Sequence, residues 1–101
     1  MKQTLKLLTL ALLSVAVLSL FKSSSVHAAT LTAATGTDEL AANANCSLSE
    51  AITNVNSGDD TAYPECVNTG AAYGSDDTIS IPAGTITLVA DIPNITQPVK
   101  I

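Results

Sequence analysis

The sequence has no Arg and no Trp, and only one His and one Phe among its 101 residues. His27 and Phe21 both precede residue 29, as do three of the four Lys residues. Without a basic cluster, the chain offers no surface for nucleic acid or anionic lipid, and we expect neither as a partner. Beyond residue 28 the sequence also lacks His, the commonest general base and metal ligand.

The first 28 residues have the pattern of a secretory signal peptide. A basic start with two Lys precedes an apolar run at residues 7–21, and residues 23–28 are small or polar. This pattern predicts export and cleavage after Ala28, since the apolar run is short for a membrane span. The alternative is an uncleaved N-terminal anchor, which Lys22 after the apolar run would also suit.

The predicted mature chain, residues 29–101, is small and acidic. One Lys, Lys100, stands against nine Asp and Glu, which gives a net charge of −8. A domain of this size buries only about 60% of its unfolded surface, so small exported domains often add disulfides. Cys46 and Cys66 are the only cysteines, and we expect them to pair in an oxidising compartment. The alternative is two buried thiols.

A short amphipathic helix is predicted directly after Cys46. Ser47 and Glu50 have the spacing of a capping box, in which each side chain binds the backbone N–H of the other residue. The predicted helix covers residues 48–55, and Gly58 suits the left-handed position after a helix end. Its apolar stripe consists of Leu48, Ala51, Ile52 and Val55. Because so short a helix is marginal alone in water, the stripe is expected to cover another part of the protein.

The rest of the mature chain alternates between short strands and loops. A Thr-rich edge strand is predicted at 29–35, and loops are predicted at 36–45 and 57–77. Beyond residue 77, alternation of Ile, Leu or Val with Thr or Ser predicts strands at 78–81, 85–89 and 99–101. No Asn-Gly or Asp-Gly pair separates them, so hairpins are not favoured. Such strands suit a solenoid, where each strand pairs with the next coil, and an antiparallel sandwich is the alternative.

Two acidic pairs lie in or beside the long loop, Asp59-Asp60 and Asp76-Asp77. Their oxygens could bind Ca²⁺, but the spacing matches neither an EF-hand loop nor the Gly-rich repeat of Ca²⁺-binding β-rolls. Paired carboxylates can also hydrolyse glycosidic bonds, but the sequence indicates no Tyr, His or Arg constellation around these pairs. We therefore expect solvated turn-forming acids, and predict no metal, cofactor or catalytic residue.

Four sequence blocks occur in a characteristic order along the mature chain. They are C-S-L-S-E-A-I at 46–52, D-T-I at 77–79, P-A-G at 82–84 and T-I-T-L at 85–88. Together they resemble the N-terminal region of exported right-handed parallel β-helix proteins with a CSLREA domain. The family's Arg is replaced by Ser49, which leaves the docking of the helix open. The resemblance implies that the helix caps the open end of the solenoid, which agrees with its apolar stripe.

The fold expected from the sequence is therefore mainly β: a capping helix and the first coils of a right-handed parallel β-helix, incomplete within residues 29–101. The expected function is structural rather than enzymatic, in an adhesin-like or passenger-type protein that is secreted or displayed at a bacterial surface or outer membrane. Expected partners are downstream coils of the same chain and an unidentified ligand such as a glycan or a host or matrix protein. Two alternatives remain: the N-terminal part of a β-helix polysaccharide lyase or hydrolase with its active site downstream, and a free-standing small secreted disulfide protein.

Overall fold

The computed structural model describes residues 27–101, so the predicted signal sequence up to Val26 lies outside the described residues and stays a prediction. The described part contains one helix, α1, and five short strands in the order β1, β2, α1, β3, β4, β5. Their bounds are Thr30–Thr32 (β1), Gly36–Asp38 (β2), Leu48–Ser57 (α1), Asp77–Ser80 (β3), Ile86–Leu88 (β4) and Val99–Lys100 (β5).

The five described strands form two small sheets in which every pairing is parallel. One sheet has the order β1-β3-β5, with Leu31 opposite Ile79 and Asp77 opposite Val99. The other pairs β2 with β4 and places Asp38 opposite Leu88. No described strand pairs with its neighbour in sequence, in keeping with the absence of a two-residue hairpin turn between them.

The predicted parallel β-helix is wrong for residues 27–101. They form sheets of two and three strands and one helix, with no stack of solenoid coils. Solenoid coils share a continuous core, which takes about three or more repeats. Here Ile79 is 1% exposed, whereas Leu88, Ile95 and Ile101 are 53%, 48% and 60% exposed. The alternating pattern determines the face of the strand on which each side chain lies, but burial of that face also requires another element packed over it. Because the described residues form no stack of coils, α1 does not cap a solenoid end.

The core lies where α1 packs beside β1 and β3. Its buried residues are Ala29, Leu31, Ala33, Cys46, Ala51, Ile52, Val55, Cys66 and Ile79. Leu48, the first member of the predicted stripe, is half-buried and packs against this core together with Tyr63, Tyr73 and Val99. No residue from 81 to 101 is buried, so the core of the described chain lies wholly within residues 29–79.

The predicted strands at 29–35, 78–81, 85–89 and 99–101 correspond to β1, β3, β4 and β5 with shifted or shorter bounds, and the helix and β2 also differ from the prediction. The helix extends to Ser57, and Gly58 follows it with φ 72°, donating its backbone N–H to the carbonyls of Asn54 and Val55. The left-handed conformation explains why Gly suits this position. The sequence predicts a loop at 36–45, but its first residues form β2, because parallel pairing with β4 orders a stretch that has no hydrophobic alternation of its own.

Candidate functional site

The candidate site is the start of α1, where a disulfide and buried polar side chains join separate parts of the chain. Cys46, directly before the N-cap residue, forms a disulfide with Cys66 in the loop after the helix. Their Cα atoms are 4.7 Å apart, a separation typical of disulfides. Both residues are buried. The predicted pairing is confirmed, and the bridge ties the start of α1 to the loop that follows it.

The first turn of α1 contains a capping box formed by Ser47 and Glu50. Ser47 Oγ accepts a hydrogen bond from the Glu50 N–H at 3.2 Å, and Glu50 Oε2 accepts one from the Ser47 N–H at 2.9 Å. Glu50 Oε1 also accepts from the Ala41 N–H at 2.9 Å, and the Ser47 hydroxyl donates to the Glu39 carbonyl. Glu50 is fully buried, so its carboxylate is committed to backbone donors that join the preceding loop to the helix.

A second carboxylate reaches the first turn from β2. Asp38 Oδ1 accepts from the Ser49 N–H at 2.8 Å, and Asp38 Oδ2 accepts from the Ser49 hydroxyl at 2.6 Å. Both residues are buried. Negative charge is favourable beside a helix N-terminus, so the contact satisfies the helix and fixes β2 together. Ser49 stands where the resembling family has Arg, and here its short hydroxyl makes the direct contact. This pair could not be predicted from the sequence, since spacing alone does not bring Asp38 to the helix.

Two asparagines on α1 bind backbone groups of other segments. Asn54 is fully buried; its amide nitrogen donates to the Tyr63 carbonyl at 2.8 Å, and its amide oxygen accepts from the Tyr63 N–H at 3.2 Å. Asn56 makes the same kind of two-way contact, donating to the Asn94 carbonyl and accepting from the Thr96 N–H, both at 2.8 Å. A side-chain amide thus substitutes for a strand partner in each segment. Neither contact was predicted from the sequence, since spacing alone does not bring Tyr63 or residues 94–96 to the helix.

The two acidic pairs have different surroundings, contrary to the expectation of solvated turn formers. Asp77 is 1% exposed, and its Oδ1 accepts from the N–H groups of Ala29 and Gly74, both at 2.9 Å. Asp76 forms an exposed ion pair with Lys100, at 3.3 Å. Asp77 therefore fixes the backbone directly before β1, whereas the neighbouring Asp76 does not.

Tyr73 contacts one of these acids, a contact that was not predicted from the sequence. Its hydroxyl donates to Asp60. Burial raises the pKa of Tyr73 well above its usual range, and the hydrogen bond to Asp60 and the charges of Asp60, Asp77 and Asp59 add to this effect. At the exposed Asp59, hydrogen bonds from Thr61 lower the pKa of the carboxyl. Tyr73 also borders an open cleft of about 430 Å³ beside the end of α1.

The buried polar side chains of the described residues form hydrogen bonds that hold backbone segments together. Every buried side-chain nitrogen or oxygen in residues 27–101 has a hydrogen-bond partner. In the same range, no group of three or more His, Cys, Asp or Glu is arranged to hold a metal ion. Carboxylates already bound to backbone N–H groups are poor candidates for general acid or base work, which needs a group free to exchange a proton. The arrangement can therefore hold loops and strands against α1.

A row of apolar side chains continues from the core to the surface. Parallel partners share a face of the sheet, so Val99 lies on the same face as Asp77, and Ile101 on the same face as Ile79. Along this face exposure rises from 0% at Leu31 and 1% at Ile79 to 60% at Ile101. We call five apolar residues in or beside β3, β4 and β5, which come from both sheets and are partly or largely exposed, the open row: Ile81, Ile86, Leu88, Val99 and Ile101.

No helix within residues 27–101 is long and apolar enough to cross a membrane.

No protein-family model matches the chain, and no curated protein or solved structure matches it either. The resemblance to CSLREA-domain proteins therefore rests on the sequence blocks alone.

Proposed function

We propose that this chain is an exported structural module, secreted or held at a bacterial surface as in adhesin-like or passenger-type proteins. The observation that carries the proposal is the staple at the start of α1, where the Cys46–Cys66 disulfide lies beside two buried carboxylates bound to backbone donors. Disulfides persist in oxidising compartments outside the cytosol, which agrees with the signal-peptide pattern of residues 1–28.

The distribution of polar groups supports a structural role over a catalytic one. Glu50, Asp38 and Asp77 are the buried carboxylates of the described part, and each accepts hydrogen bonds from backbone N–H groups. Removing a buried partner of this kind costs about 1–3 kcal/mol of stability, so these residues are explained by the fold they hold.

The open row supports a role in contact with further polypeptide. β4 and β5 each lie at the end of a sheet in the described strand order, and an edge strand presents unpaired N–H and C=O groups. An extended segment can add to such an edge by backbone hydrogen bonds while its apolar side chains cover the row. This contact, rather than a small ligand, is the partner interaction that we propose.

Export and oxidation can be tested with the whole chain in a bacterial host. The natural chain is compared with a matched chain in which residues 1–28 are replaced by Met. We expect the natural chain to lose residues 1–28, to leave the cytoplasm and to resist thiol alkylation until it is reduced, as intact mass and cell fractionation show. The leaderless chain should stay cytoplasmic with two alkylatable thiols. An unprocessed natural chain with free thiols in the cytoplasm would contradict the proposal.

The second candidate is a free-standing small secreted disulfide protein. It is favoured by the core, since every buried hydrophobic residue of the described part lies between Ala29 and Ile79. Light scattering of the oxidised, processed chain separates the two. Self-association that is reduced by Leu88→Glu, with Thr87→Glu as the matched control on the opposite face of β4, supports the structural module. A concentration-independent monomer with sharp, dispersed amide NMR signals supports the free-standing protein.

A further inference from the structure

The first residue of the predicted mature chain is held by a buried carboxylate. The Ala29 backbone N–H donates to Asp77 Oδ1 at 2.9 Å, and the Ala29 carbonyl accepts from the Thr78 N–H at 2.8 Å. Ala29 is 0% exposed and Asp77 is 1% exposed. Position 29 is therefore fixed through its backbone on both sides, next to a charge that lies inside the protein.

Signal cleavage changes the chemistry at this contact. The host peptidase hydrolyses the Ala28–Ala29 bond with one water; the new carboxylate leaves with the leader, and the new amine stays on Ala29. At neutral pH an α-amine is mostly protonated, because its usual pKa is about 7.7–8.0. The group facing Asp77 then changes from a neutral amide N–H to an ammonium with three donors.

We propose that Asp77 is the binding site for the α-ammonium of Ala29, so that signal cleavage converts a neutral hydrogen bond into a buried ion pair. The proposal rests on the proposed function, since it requires an exported and processed chain. Processing then stabilises the fold that it releases, and the leader-bearing chain lacks this contribution.

Within residues 29–101, no Lys or Arg side chain pairs with Asp77 in place of the new amine. Lys100 is the one Lys or Arg side chain in residues 29–101, and it pairs with Asp76 at the surface. The residues that leave contact the same loop: Ala28 accepts from the Ala71 N–H at 2.9 Å, and the His27 carbonyl accepts from the Asp76 N–H at 3.3 Å. Their departure frees space beside Ala29 for the additional ammonium protons. A buried carboxylate gains most from an opposite charge that is also hydrogen-bonded to it, as here.

The test uses the two amines of the processed, oxidised chain, Ala29 and Lys100. A limiting amount of an acetylating reagent is added at pH 7, and peptide mass spectrometry measures the rate at each amine. In denaturant with reductant, the α-amine should react first, since its usual pKa is far below that of Lys. In the folded protein we expect Ala29 to be slowed about tenfold or more relative to its denatured rate, whereas the rate at Lys100 should change little. A folded-state rate at Ala29 close to its denatured rate would overturn the proposal.

A second measurement separates the charge from the hydrogen bond. Asp77→Asn is compared in the chain that begins at Ala29 and in one with an additional alanine before Ala29, where the N–H is present but uncharged. We expect Asp77→Asn to lower the Tm by about 10 °C in the first chain and by clearly less in the second. Asp76→Asn is the matched control and should have little effect in either. Equal losses from Asp77→Asn in both chains would show that Asp77 is only a hydrogen-bond acceptor.

Failure of this proposal can be told apart from failure of the proposed function. Intact mass first shows whether the host cleaves after Ala28. If it cleaves elsewhere, the export proposal needs revision, and the same labelling is carried out on a chain released from a fusion with Ala29 as its first residue. If cleavage is as expected but Ala29 labels freely, the export proposal stands and the ion pair is wrong.

Discussion

β1 and β3, in residues 29–80 (the anchored part), and β4 and β5, in residues 81–101 (the open part), have similar alternating apolar patterns but different burial. All buried residues of the described chain lie in the anchored part. Its segments are joined by the disulfide and by side chains that bind distant backbone groups. The open part is attached through β4, β5 and the Asn56 contacts, and its apolar residues remain partly or largely exposed.

Burial of a strand side chain therefore has two separate requirements: an alternating apolar pattern in the sequence, and another element packed over the apolar face. Ile79 and Ile101 lie on the same face of one sheet, yet α1 and β1 pack beside Ile79, while no described element covers Ile101. Burying an aliphatic side chain is worth about 1.5–3 kcal/mol, so the two parts should differ strongly in stability. Four predictions test this difference.

The largest difference is expected between matched alanine substitutions at Ile79 and Ile101, which lie on the same face of one sheet. Ile79→Ala should cost about 2–5 kcal/mol of unfolding free energy, because it removes fully buried atoms and leaves a cavity. Ile101→Ala should change stability by about 0.5 kcal/mol or less, because that side chain is already 60% exposed. Urea unfolding of the oxidised, processed protein measures both. Equal losses of stability from the two substitutions would mean that Ile101 is also covered in solution.

Loss of the disulfide should be the next largest effect. Replacing both Cys46 and Cys66 by Ala removes a bridge across a sequence separation of 20, which is worth about 3 kcal/mol on the chain-entropy model. Urea unfolding of the double variant, compared with the oxidised parent, measures the loss. If the double variant kept the stability of the parent, the disulfide would not contribute substantially to the unfolding free energy.

The two asparagine contacts should differ because one is buried and the other is at the surface. Asn54→Ala leaves the Tyr63 N–H and carbonyl without their partners and should cost about 1–3 kcal/mol. Asn56→Ala acts on exposed groups at Asn94 and Thr96, which water can satisfy, and should cost about 1 kcal/mol or less. Thermal unfolding of the two variants provides the comparison. A larger cost for Asn56→Ala would show that the attachment of the open part matters more than the anchored contact.

The smallest effect concerns alkaline pH. Burial and the neighbouring Asp60 raise the pKa of Tyr73 above its ordinary value of 10.0, so the neutral phenol is favoured in the folded state. The stability that results is fully present below about pH 10 and is lost as the pH rises through the folded-state pKa. Tyr73→Phe should therefore show a smaller fall in stability between pH 9 and pH 11 than the parent. Parallel pH profiles would rule out this role for Tyr73.

Local sequence signals predicted the helix, its Ser47–Glu50 cap, Gly58 and the Cys46–Cys66 pairing, since each depends on spacing or on a count of residues. The buried contacts of Asp38, Asn54 and Asp77 could not be predicted in this way, because each joins segments whose proximity follows from the fold. The β-helix prediction failed for a related reason: alternation in residues 78–101 specifies faces and strand pairing, but not what covers those faces.

Native-state hydrogen exchange of the oxidised, processed chain tests the division into two parts most directly. Protection reports the free energy of the opening that exposes each amide, residue by residue. We predict that the amides of Ile52, Val55 and Ile79 exchange only through global unfolding, while those of Leu88 and Lys100 exchange at least about 100-fold faster through local opening. Equal protection across α1, β3, β4 and β5 would contradict the account, because the open part would then be as firmly held as the anchored part.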